Sequence, residues 1–380
     1  MVKQKKKIAL ITMHDIINYG SFFQTVATED IFRSLGCEVE VIDYRPDRRR
    51  GINIYFSLLN SFGIKNIART VLSGILSFPF LYTRKRNFKR CYDKYYDLTK
   101  LYKNYDELIA DPPKADIYCV GSDQVWNIIT NQGLDPAYFL EFANDSYKMS
   151  FSSSLGIEQL NEEQCKFLKK GLERFRYISV REKSSQLYLQ QILKRNDIKY
   201  VLDPTECITA ERWTELLELD EIDIPRHPYV LLYILGREKR VVNYGKMIGK
   251  ELDCSLIKVG GDLIRFVPNC KDMSTCNPVT LMALFRSATF VITNSFHGTA
   301  LAIEFGRQFI TTSNKNNPRF ESILSLYNLS ERFVTDDFDL KKSMKKIDYN
   351  NVNSIINTMR INTFDFAKDA VNMDGFNNEA

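Results

Sequence analysis

The sequence is poor in the residues and motifs that mark several common enzyme classes. Its 380 residues include only three histidines and two tryptophans. Its eight cysteines are scattered, with no CxxC pair and no histidine at zinc-ligand spacing. It has neither a P-loop nor a GxSxG elbow. These absences favour chemistry that uses no metal and no other cofactor, and we expect the cysteines to be buried thiols of a cytoplasmic protein.

The sequence also lacks a segment that could cross a membrane. Its most apolar stretch, about residues 71–82, is interrupted by Ser77 and Pro79 and is shorter than the ~20 residues that a spanning helix needs. The lysine-rich start leads into residues 8–11 (IALI), a first strand that is too short for the apolar part of a secretory signal. We therefore expect a protein that is neither exported nor embedded in a membrane.

Charge of one sign is not in large excess. The 52 basic and 47 acidic residues give a formal net charge of +5. This balance suits an anionic ligand and does not require a nucleic-acid partner. Much of the excess lies in residues 3–7, 45–50 and 84–90, so we expect the first hundred residues to attract anions.

The pattern of apolar residues predicts two α/β domains. The chain is longer than the ~250–300 residues at which a single core stops growing. A strand at 8–13, a helix closed by Gly36 and a strand at 39–43 predict a parallel βαβ unit. The pattern restarts with the apolar run 229–235, which suits a strand buried on both faces. We expect an N-terminal Rossmann-like domain (1–205), a C-terminal Rossmann-like domain (206–345) and a C-terminal helix with a loose tail (346–380).

Residues of about 51–111 interrupt this rhythm with a mixture of aromatic and basic side chains. We interpret them as a helical insertion in the first domain. One hypothesis makes it an interfacial surface that meets anionic lipid or a lipid-linked substrate. The other makes it a helical hairpin packed on the sheet edge, because apolar and basic residues mix on most surface helices.

Polar residues cluster where predicted strands end. In open α/β sheets, ligands bind beyond the carboxyl ends of the strands, where helices present free N–H groups. The candidates at these ends are His14, Asn18, Tyr19, Ser21, Asp123, Gln124, Trp126, Arg181, Arg237, Ser295, His297 and Gly298.

His297 is the strongest of these candidates because it lies at the start of a predicted helix, directly after a buried strand. It could donate a proton or merely cap the turn, and Gly298 would let a ligand come close to the backbone. Arg181 could bind a carboxylate or phosphate, or pair with Glu182. Arg237 could belong to an anion cradle or to a solvated face.

Asp123 lies beside an amide and an aromatic ring, a combination that suits sugar binding. Asp123 could take a proton from a sugar hydroxyl, and Trp126 could stack on a sugar ring or belong to the core. Residues 18–21 (NYGS) could hold a ligand or cap their helix through Asn18 or Ser21.

Several of these stretches, taken in order, resemble the polysaccharide pyruvyl transferase family. The resemblance spans about residues 7–332, most of the chain. The stretches that carry it are 11–14 (ITMH), 18–21 (NYGS), 41–46 (VIDYRP), 120–127 (VGSDQVWN), 179–182 (SVRE), 203–205 (DPT) and 293–300 (TNSFHGTA). Some members of the family have an arginine two residues before the motif histidine, where this sequence has Ser295.

The resemblance implies two Rossmann-like domains that face each other across a cleft, as in glycosyltransferases of the GT-B type. It implies transfer of the pyruvyl group of phosphoenolpyruvate, as a ketal, onto a sugar of a bacterial surface polysaccharide or its lipid-linked precursor. His297 would be the general acid, and Asp123 or His14 would take the hydroxyl proton. Arg181, Arg237 and Arg319 would hold the donor with Ser295 and Gly298. Acceptor contacts would come from Asn18, Tyr19, Ser21, Gln124 and Trp126.

Two other functions stay open at this stage. The first keeps the fold and replaces the donor with a nucleotide sugar, although no acidic residue is plainly set to hold a ribose after a strand of the second domain. The second is a carbohydrate-binding protein without activity, in which His297 only caps its helix. In all three cases we expect a cytoplasmic protein without a nucleic-acid partner, and the first hypothesis for 51–111 adds a peripheral contact with the inner face of the membrane.

Overall fold

The computed structural model describes residues 5–46, 67–129, 131, 133–144, 146–156, 159–236, 238–261, 267–313 and 318–372. These residues divide into two compact units. Unit 1 holds the described parts of Met1–Leu58, Tyr95–Cys207 and Thr358–Ala380. Unit 2 holds the described parts of Leu59–Lys94 and Ile208–Asn357.

The strands and α-helices alternate along most of the chain. In chain order they are β1 (Lys7–Ile11), α1 (Tyr19–Ser34), β2 (Glu38–Val41), α2 (Ile67–Tyr95), α3 (Tyr105–Ala110), β3 (Ile117–Val120), β4 (Tyr147–Ser153), α4 (Glu162–Leu172), β5 (Tyr177–Val180), α5 (Lys183–Leu193), β6 (Lys199–Tyr200), α6 (Pro204–Cys207), α7 (Ala210–Leu216), β7 (Tyr229–Ile234), α8 (Lys239–Glu251), β8 (Ser255–Gly260), β9 (Cys270–Asp272), α9 (Pro278–Ser287), β10 (Phe290–Thr293), α10 (Phe296–Glu304), β11 (Gln308–Thr311), α11 (Pro318–Leu326), α12 (Leu340–Ser343) and α13 (Tyr349–Asn372).

Unit 1 is built on a parallel sheet with the strand order β2-β1-β3-β4-β5-β6. The strands β3 and β4 are buried along their whole length, as expected of a parallel sheet covered on both faces, although only β3 is a continuous apolar run. The strand order reverses direction between β1 and β3. This reversal defines the position at which ligands bind in open α/β sheets.

Unit 2 contains a second parallel sheet, with the order β11-β10-β7-β8-β9. Here the order reverses between β7 and β10, both of which are fully buried. The two sheets confirm the predicted fold class of two Rossmann-like α/β domains. The short edge strand β9 was not predicted, because its residues Cys-Lys-Asp have no strand-forming pattern.

The predicted insertion at 51–111 is described from residue 67 onward; its earlier part lies outside the described residues. Its main element is α2, whose residues up to Lys94 group with unit 2 and not with the first domain, where the sequence analysis placed them. Asn87 ties the helix to unit 2 by donating a hydrogen bond to the carbonyl of Thr275 (2.7 Å). Residues 97–102 are not helical: Leu98 and Tyr102 form parallel bridges to the chain at and after β2.

The C-terminal helix α13 contributes its second half to unit 1. The hydroxyl of Tyr147 in β4 donates to the carbonyl of Ala370 (2.9 Å), and the amide of Leu202 donates to the hydroxyl of Thr363 (3.1 Å). The Phe366 ring stacks against Phe151. This half of α13 therefore covers β4 and the end of the first sheet.

None of the helices in the described parts of the chain is long and apolar enough to span a membrane. Among the same residues there is also no group of three or more histidine, cysteine or acidic side chains that could hold a metal ion.

A buried glutamate in α1 should make the stability of unit 1 depend on pH. Glu29 is 1% exposed, and burial raises the pKa of its carboxyl from 4.5 to about 8, although Arg33 lies 2.6 Å away and opposes the rise. Because the folded state keeps a proton that the unfolded chain releases, the stability supplied by this group is lost as the pH rises from about 5 to about 8. Urea unfolding of Glu29→Gln should not show this loss.

The matched control is Glu163→Gln on the exposed face of α4, which should follow the wild-type pH dependence. Parallel pH profiles for wild type and Glu29→Gln would show that Glu29 is ionised in the folded protein.

Candidate functional site

The switch point of unit 2 carries the motif that the sequence analysis singled out. It lies between β7 and β10, where the chain continues into Leu235 after one strand and into Asn294 after the other. The side-chain oxygen of Asn294 accepts from the amide of Leu235 (2.7 Å), and its side-chain nitrogen donates to the carbonyl of Leu235 (2.8 Å). Asn294 thus fixes the two strand ends to each other, and α10 starts from this fixed position.

The first turn of α10 is held by Ser295. Its side chain accepts from the amide of Gly298 (3.2 Å), which makes it the N-cap, as Ser is well suited to be. Ser295 is 1% exposed and fixes the shape of this turn, and its role in donor binding stays a prediction.

His297 is the second residue of α10 and is 8% exposed. Its ring meets Phe296 edge-on at 5.4 Å between centroids. The N-terminus of a helix attracts anions through its free N–H groups and its dipole. An imidazole in this position can deliver a proton to a group that carries negative charge, so the placement agrees with the proton-donor prediction and leaves it to experiment.

Gly298 serves packing in this structure. A Cβ atom at this position would lie 2.5 Å from the hydroxyl oxygen of Thr293 and 2.7 Å from the Tyr233 ring. The absence of a side chain therefore lets α10 pack closely on β7 and β10. The predicted approach of a ligand to the backbone at Gly298 stays a prediction.

Replacing Gly298 with alanine should therefore destabilise the protein. The overpacked methyl group should cost about 1–3 kcal/mol of unfolding free energy, whereas Gly→Ala inside a helix usually gains up to about 1 kcal/mol. Urea unfolding measures the difference. Adding Thr293→Ala, which removes the closest atom, should make the two substitutions less costly together than their sum predicts. A neutral Gly298→Ala variant would mean that α10 shifts without cost.

Arg84 in α2 is a cation near this turn that the sequence analysis did not single out. Burial raises the pKa of the Tyr233 phenol to about 12, and the charge of Arg84 and the side chain of Ser295 oppose this rise. The next turn of α2, at Asn87, bonds to Thr275, and the neighbouring Ser274 bonds to the carbonyl of Gly260 at the carboxyl end of β8 (3.0 Å). Arg84 therefore lies near the carboxyl edge of the second sheet.

No local sequence signal could have placed Arg84 there. It lies 149 residues before Tyr233 in the chain, within a segment whose basic residues gave no hint of which one is turned inward. The other predicted donor-binding arginines are less informative: Arg237 lies outside the described residues, and Arg319 is half-buried on α11.

The switch point of unit 1 is centred on Asp123, just after β3. The Ser21 hydroxyl from α1 donates to its carboxylate at 2.6 Å, and the Gln124 amide donates at 2.9 Å. The backbone of Asp123 has a φ of 76°, a left-handed conformation that costs energy for any residue with a side chain. Such strain at the carboxyl edge of a sheet is typical of a functional position.

Arg181 lies behind Asp123 and is closed off from solvent, with 3% exposure. Its guanidinium group binds the carboxylate of Asp203 at 2.6 Å and those of Asp123 and Glu182 at 3.4 Å. Burial lowers the pKa of Arg181, but the three carboxylates raise it by more than burial lowers it. The pKa therefore lies above its ordinary value. Arg181 is thus engaged by protein carboxylates, which corrects its predicted role in donor binding: it holds Asp123.

His14, after β1, is also buried, with 1% exposure. Its Nε2 lies 3.0 Å from a carboxylate oxygen of Asp43, which Arg45 contacts as well. Burial raises the pKa of Asp43, but the hydrogen bonds from His14 and Arg45 outweigh it and bring the pKa below its usual value. The pair orients the His14 ring, and its role as base stays a prediction.

The predicted acceptor-binding residues differ in their accessibility. Trp126 is 0% exposed, stacks on Phe139 and donates to the carbonyl of Tyr138 (2.9 Å), so it belongs to the core and does not contact a sugar. Tyr19 is also 0% exposed. Asn18 is the N-cap of α1 and remains half-exposed, as does Gln124.

A cavity of about 390 Å³ lies at the opposite edge of the first sheet, near the amino ends of β1 and β2. Lys5, Lys7, Cys37 and Glu38 are among its lining residues. Its mixed charges and its position away from the carboxyl ends give no reason to place substrate there.

The family comparison agrees with the position of these motifs. The chain matches the model of the family described as polysaccharide pyruvyl transferase over residues 18–316. This range includes both Asp123 and His297. A search of curated protein sequences finds no match.

Solved structures with a similar chain trace include an epimerase and a glycosyltransferase. UDP-GlcNAc 2-epimerase from Neisseria meningitidis bound to UDP-GlcNAc is 10% identical, with 98% of this chain and 100% of that chain covered and a TM-score of 0.49. The glycosyltransferase SnogD from Streptomyces nogalater is 12% identical, with 97% and 99% covered and a TM-score of 0.49. The fold assignment itself depends on the two parallel sheets of the chain.

Proposed function

Because the chain belongs to the polysaccharide pyruvyl transferase family, we propose that it transfers the pyruvyl group of phosphoenolpyruvate to a sugar and forms a ketal. The acceptor is a sugar of a bacterial surface polysaccharide or of its lipid-linked precursor. The observation that carries the proposal is the position of His297 in the first turn of a helix at the switch point of a parallel sheet.

The proposed reaction needs one proton donor and proton acceptors for two hydroxyl groups. His297 protonates the methylene carbon of phosphoenolpyruvate, and the carbon that carries the phosphate becomes oxocarbenium-like. A sugar hydroxyl attacks this carbon, phosphate leaves, and a second hydroxyl closes the ketal. The two hydroxyl protons restore His297 and protonate the phosphate, so the reaction is balanced without a metal or other cofactor.

The charges of the two switch points favour unit 2 as the donor side. Phosphoenolpyruvate carries a phosphate and a carboxylate, which suit the N-terminus of α10 and the nearby cation Arg84. In unit 1, Arg181 is outnumbered by the three carboxylates of Asp203, Asp123 and Glu182. Such an edge suits neutral sugar hydroxyls better than an anion.

Asp123 is therefore the side chain that we assign to the acceptor. Its carboxylate is fixed by the Ser21 hydroxyl and the backbone amide of Gln124, and the residue is 9% exposed, which leaves it within reach of a hydroxyl group. It can accept the proton of an attacking hydroxyl while Arg181 holds its position. His14 is the alternative base, held by Asp43.

The proposal is tested by thermal unfolding in the presence of phosphoenolpyruvate, phosphate, pyruvate and a panel of nucleotide sugars. A ligand of the native state raises the midpoint. We expect phosphoenolpyruvate to do so for the wild type and for Arg86→Met, an exposed position of α2, and much less for Arg84→Met.

The other outcomes separate the alternatives. A midpoint raised by a nucleotide sugar and not by phosphoenolpyruvate would make the chain a glycosyltransferase. A midpoint that responds to sugars alone would leave a carbohydrate-binding protein without pyruvyl transfer. An equal shift for Arg84→Met and Arg86→Met would remove Arg84 from the donor site but leave the donor itself unchanged.

A further inference from the structure

Three aromatic side chains of α2 are exposed to solvent. Phe78 is 58% exposed, Phe80 is 47% exposed and Tyr82 is 60% exposed. The rings of Phe78 and Tyr82, one helical turn apart, stack with 6.3 Å between centroids. We call these three residues the aromatic end of α2. Large apolar side chains that cluster on a surface usually mark a site of interaction.

A pair of basic residues continues the same surface. Lys85 and Arg86 lie two turns beyond Phe78 on its side of the helix and are both exposed. We call them the basic pair. Residues 67–92 contain no aspartate or glutamate. Between Phe78 and Arg86, the exposed side chains of α2 are therefore first aromatic and then basic, with no acidic residue among them.

The later turns of α2 are packed into the protein. Phe88 is 0% exposed, Cys91 is 5% exposed and Tyr92 is 7% exposed. The two hypotheses for the insertion thus apply to different parts of one helix: the later turns pack, and the earlier turns leave their aromatic rings in solvent. Because the packed turns fix the helix, the aromatic end is held in place outside the core.

We propose that the aromatic end and the basic pair bind the surface of a membrane that contains anionic lipids. Aromatic rings are favoured at the level of lipid headgroups, and basic side chains are attracted to anionic headgroups. A second copy of the same face is a poorer partner, because it offers the same net positive charge and no acidic group to the basic pair. In this proposal the helix lies on the membrane surface, because no helix among the described residues is apolar enough over a sufficient length to cross it.

Only the reason for membrane binding rests on the proposed function: a lipid-linked acceptor would lie at the membrane surface. Binding to vesicles is measured without donor or acceptor. A failure of the membrane inference therefore leaves the pyruvyl transfer untouched, and a failure of the transfer leaves vesicle binding to be judged separately.

The experiment is co-sedimentation of the full chain with vesicles of phosphatidylcholine alone and of phosphatidylcholine mixed with phosphatidylglycerol. We expect the wild type to sediment with the mixed vesicles, less at high salt, and weakly with phosphatidylcholine alone. Lys85→Glu/Arg86→Glu should lower the partition coefficient about 30-fold or more, the effect of two lost basic contacts. Phe78→Ser/Phe80→Ser/Tyr82→Ser should weaken binding to a similar degree.

Matched controls keep the test specific. Lys169→Glu/Lys170→Glu changes two exposed lysines of α4, and Leu187→Ser/Ile361→Ser removes two exposed aliphatic side chains of 56% and 63% exposure. Both controls should bind as the wild type does, and an unchanged thermal midpoint shows that each variant is folded. No binding by the wild type, or equal loss in the controls, would overturn the proposal. So would a wild-type dimer that the aromatic substitutions convert to monomer, because the face would then join two copies of the chain.

Discussion

His297→Gln should lower kcat for pyruvyl transfer by about 10²–10⁴-fold, the usual contribution of a positioned proton donor. Glutamine keeps much of the volume and a hydrogen-bonding end but cannot deliver a proton. Because Ser295 caps α10 without help from His297, the helix should remain folded and phosphoenolpyruvate should still raise the thermal midpoint. Release of phosphate from phosphoenolpyruvate in the presence of acceptor measures the rate.

The matched control for this prediction is His227→Gln. His227 is exposed in the loop before β7, away from the switch point. It should leave the rate unchanged. If His297→Gln transfers pyruvyl as fast as the wild type, the proton comes from another group and the assignment of His297 as general acid is wrong.

The largest loss of stability should come from Arg181→Met. The substitution keeps an unbranched apolar stem but leaves the carboxylates of Asp203, Asp123 and Glu182 buried beside one another without their common cation. Breaking a buried ion pair in this way typically costs about 3–5 kcal/mol. The deficit should shrink in mildly acidic solution, because protonation of a carboxylate relieves the repulsion. Urea unfolding at several pH values measures both effects.

Arg174→Met, at an exposed position before β5, is the control and should change the stability by no more than about 0.5 kcal/mol. One result for Arg181→Met would favour the hypothesis that Arg181 binds the donor. If Arg181→Met is as stable as the wild type and no longer responds to phosphoenolpyruvate, the guanidinium group binds the donor and our structural role for it is wrong.

The elements of the fold were largely predictable because both sheets are parallel and buried. The run at 229–235 has no polar interruption, so its burial and its ends could be predicted from the local sequence. The observed strand β7 matches this run to within one residue. The helix after β10 was predictable for the same reason: a buried strand, a serine cap and a closing Gly306 follow one another. His297 was placed by this local order alone.

The partners of the site residues were not predictable, because they come from distant parts of the chain. Arg181 is followed directly by Glu182, which suggested a simple surface pair. Its closest partner is Asp203, 22 residues later. For Trp126 the sequence favoured the core over a sugar contact, and the ring is buried. Chain spacing fixes which residues reach a strand end. It does not fix which of them neutralise each other there.

The position of helix α13 in the chain determines when unit 1 can finish folding during synthesis. The last part of unit 1, from Thr358, follows Cys207 by about 150 residues. At translation rates of about 5–20 residues per second, roughly 8–30 seconds separate the emergence of the first sheet from that of the helix that covers Phe151 and bonds to Leu202. During this time most of unit 2 is synthesised, while the older sheet remains incompletely covered and exposed to aggregation. The half of the molecule that leaves the ribosome first is therefore the half that is finished last.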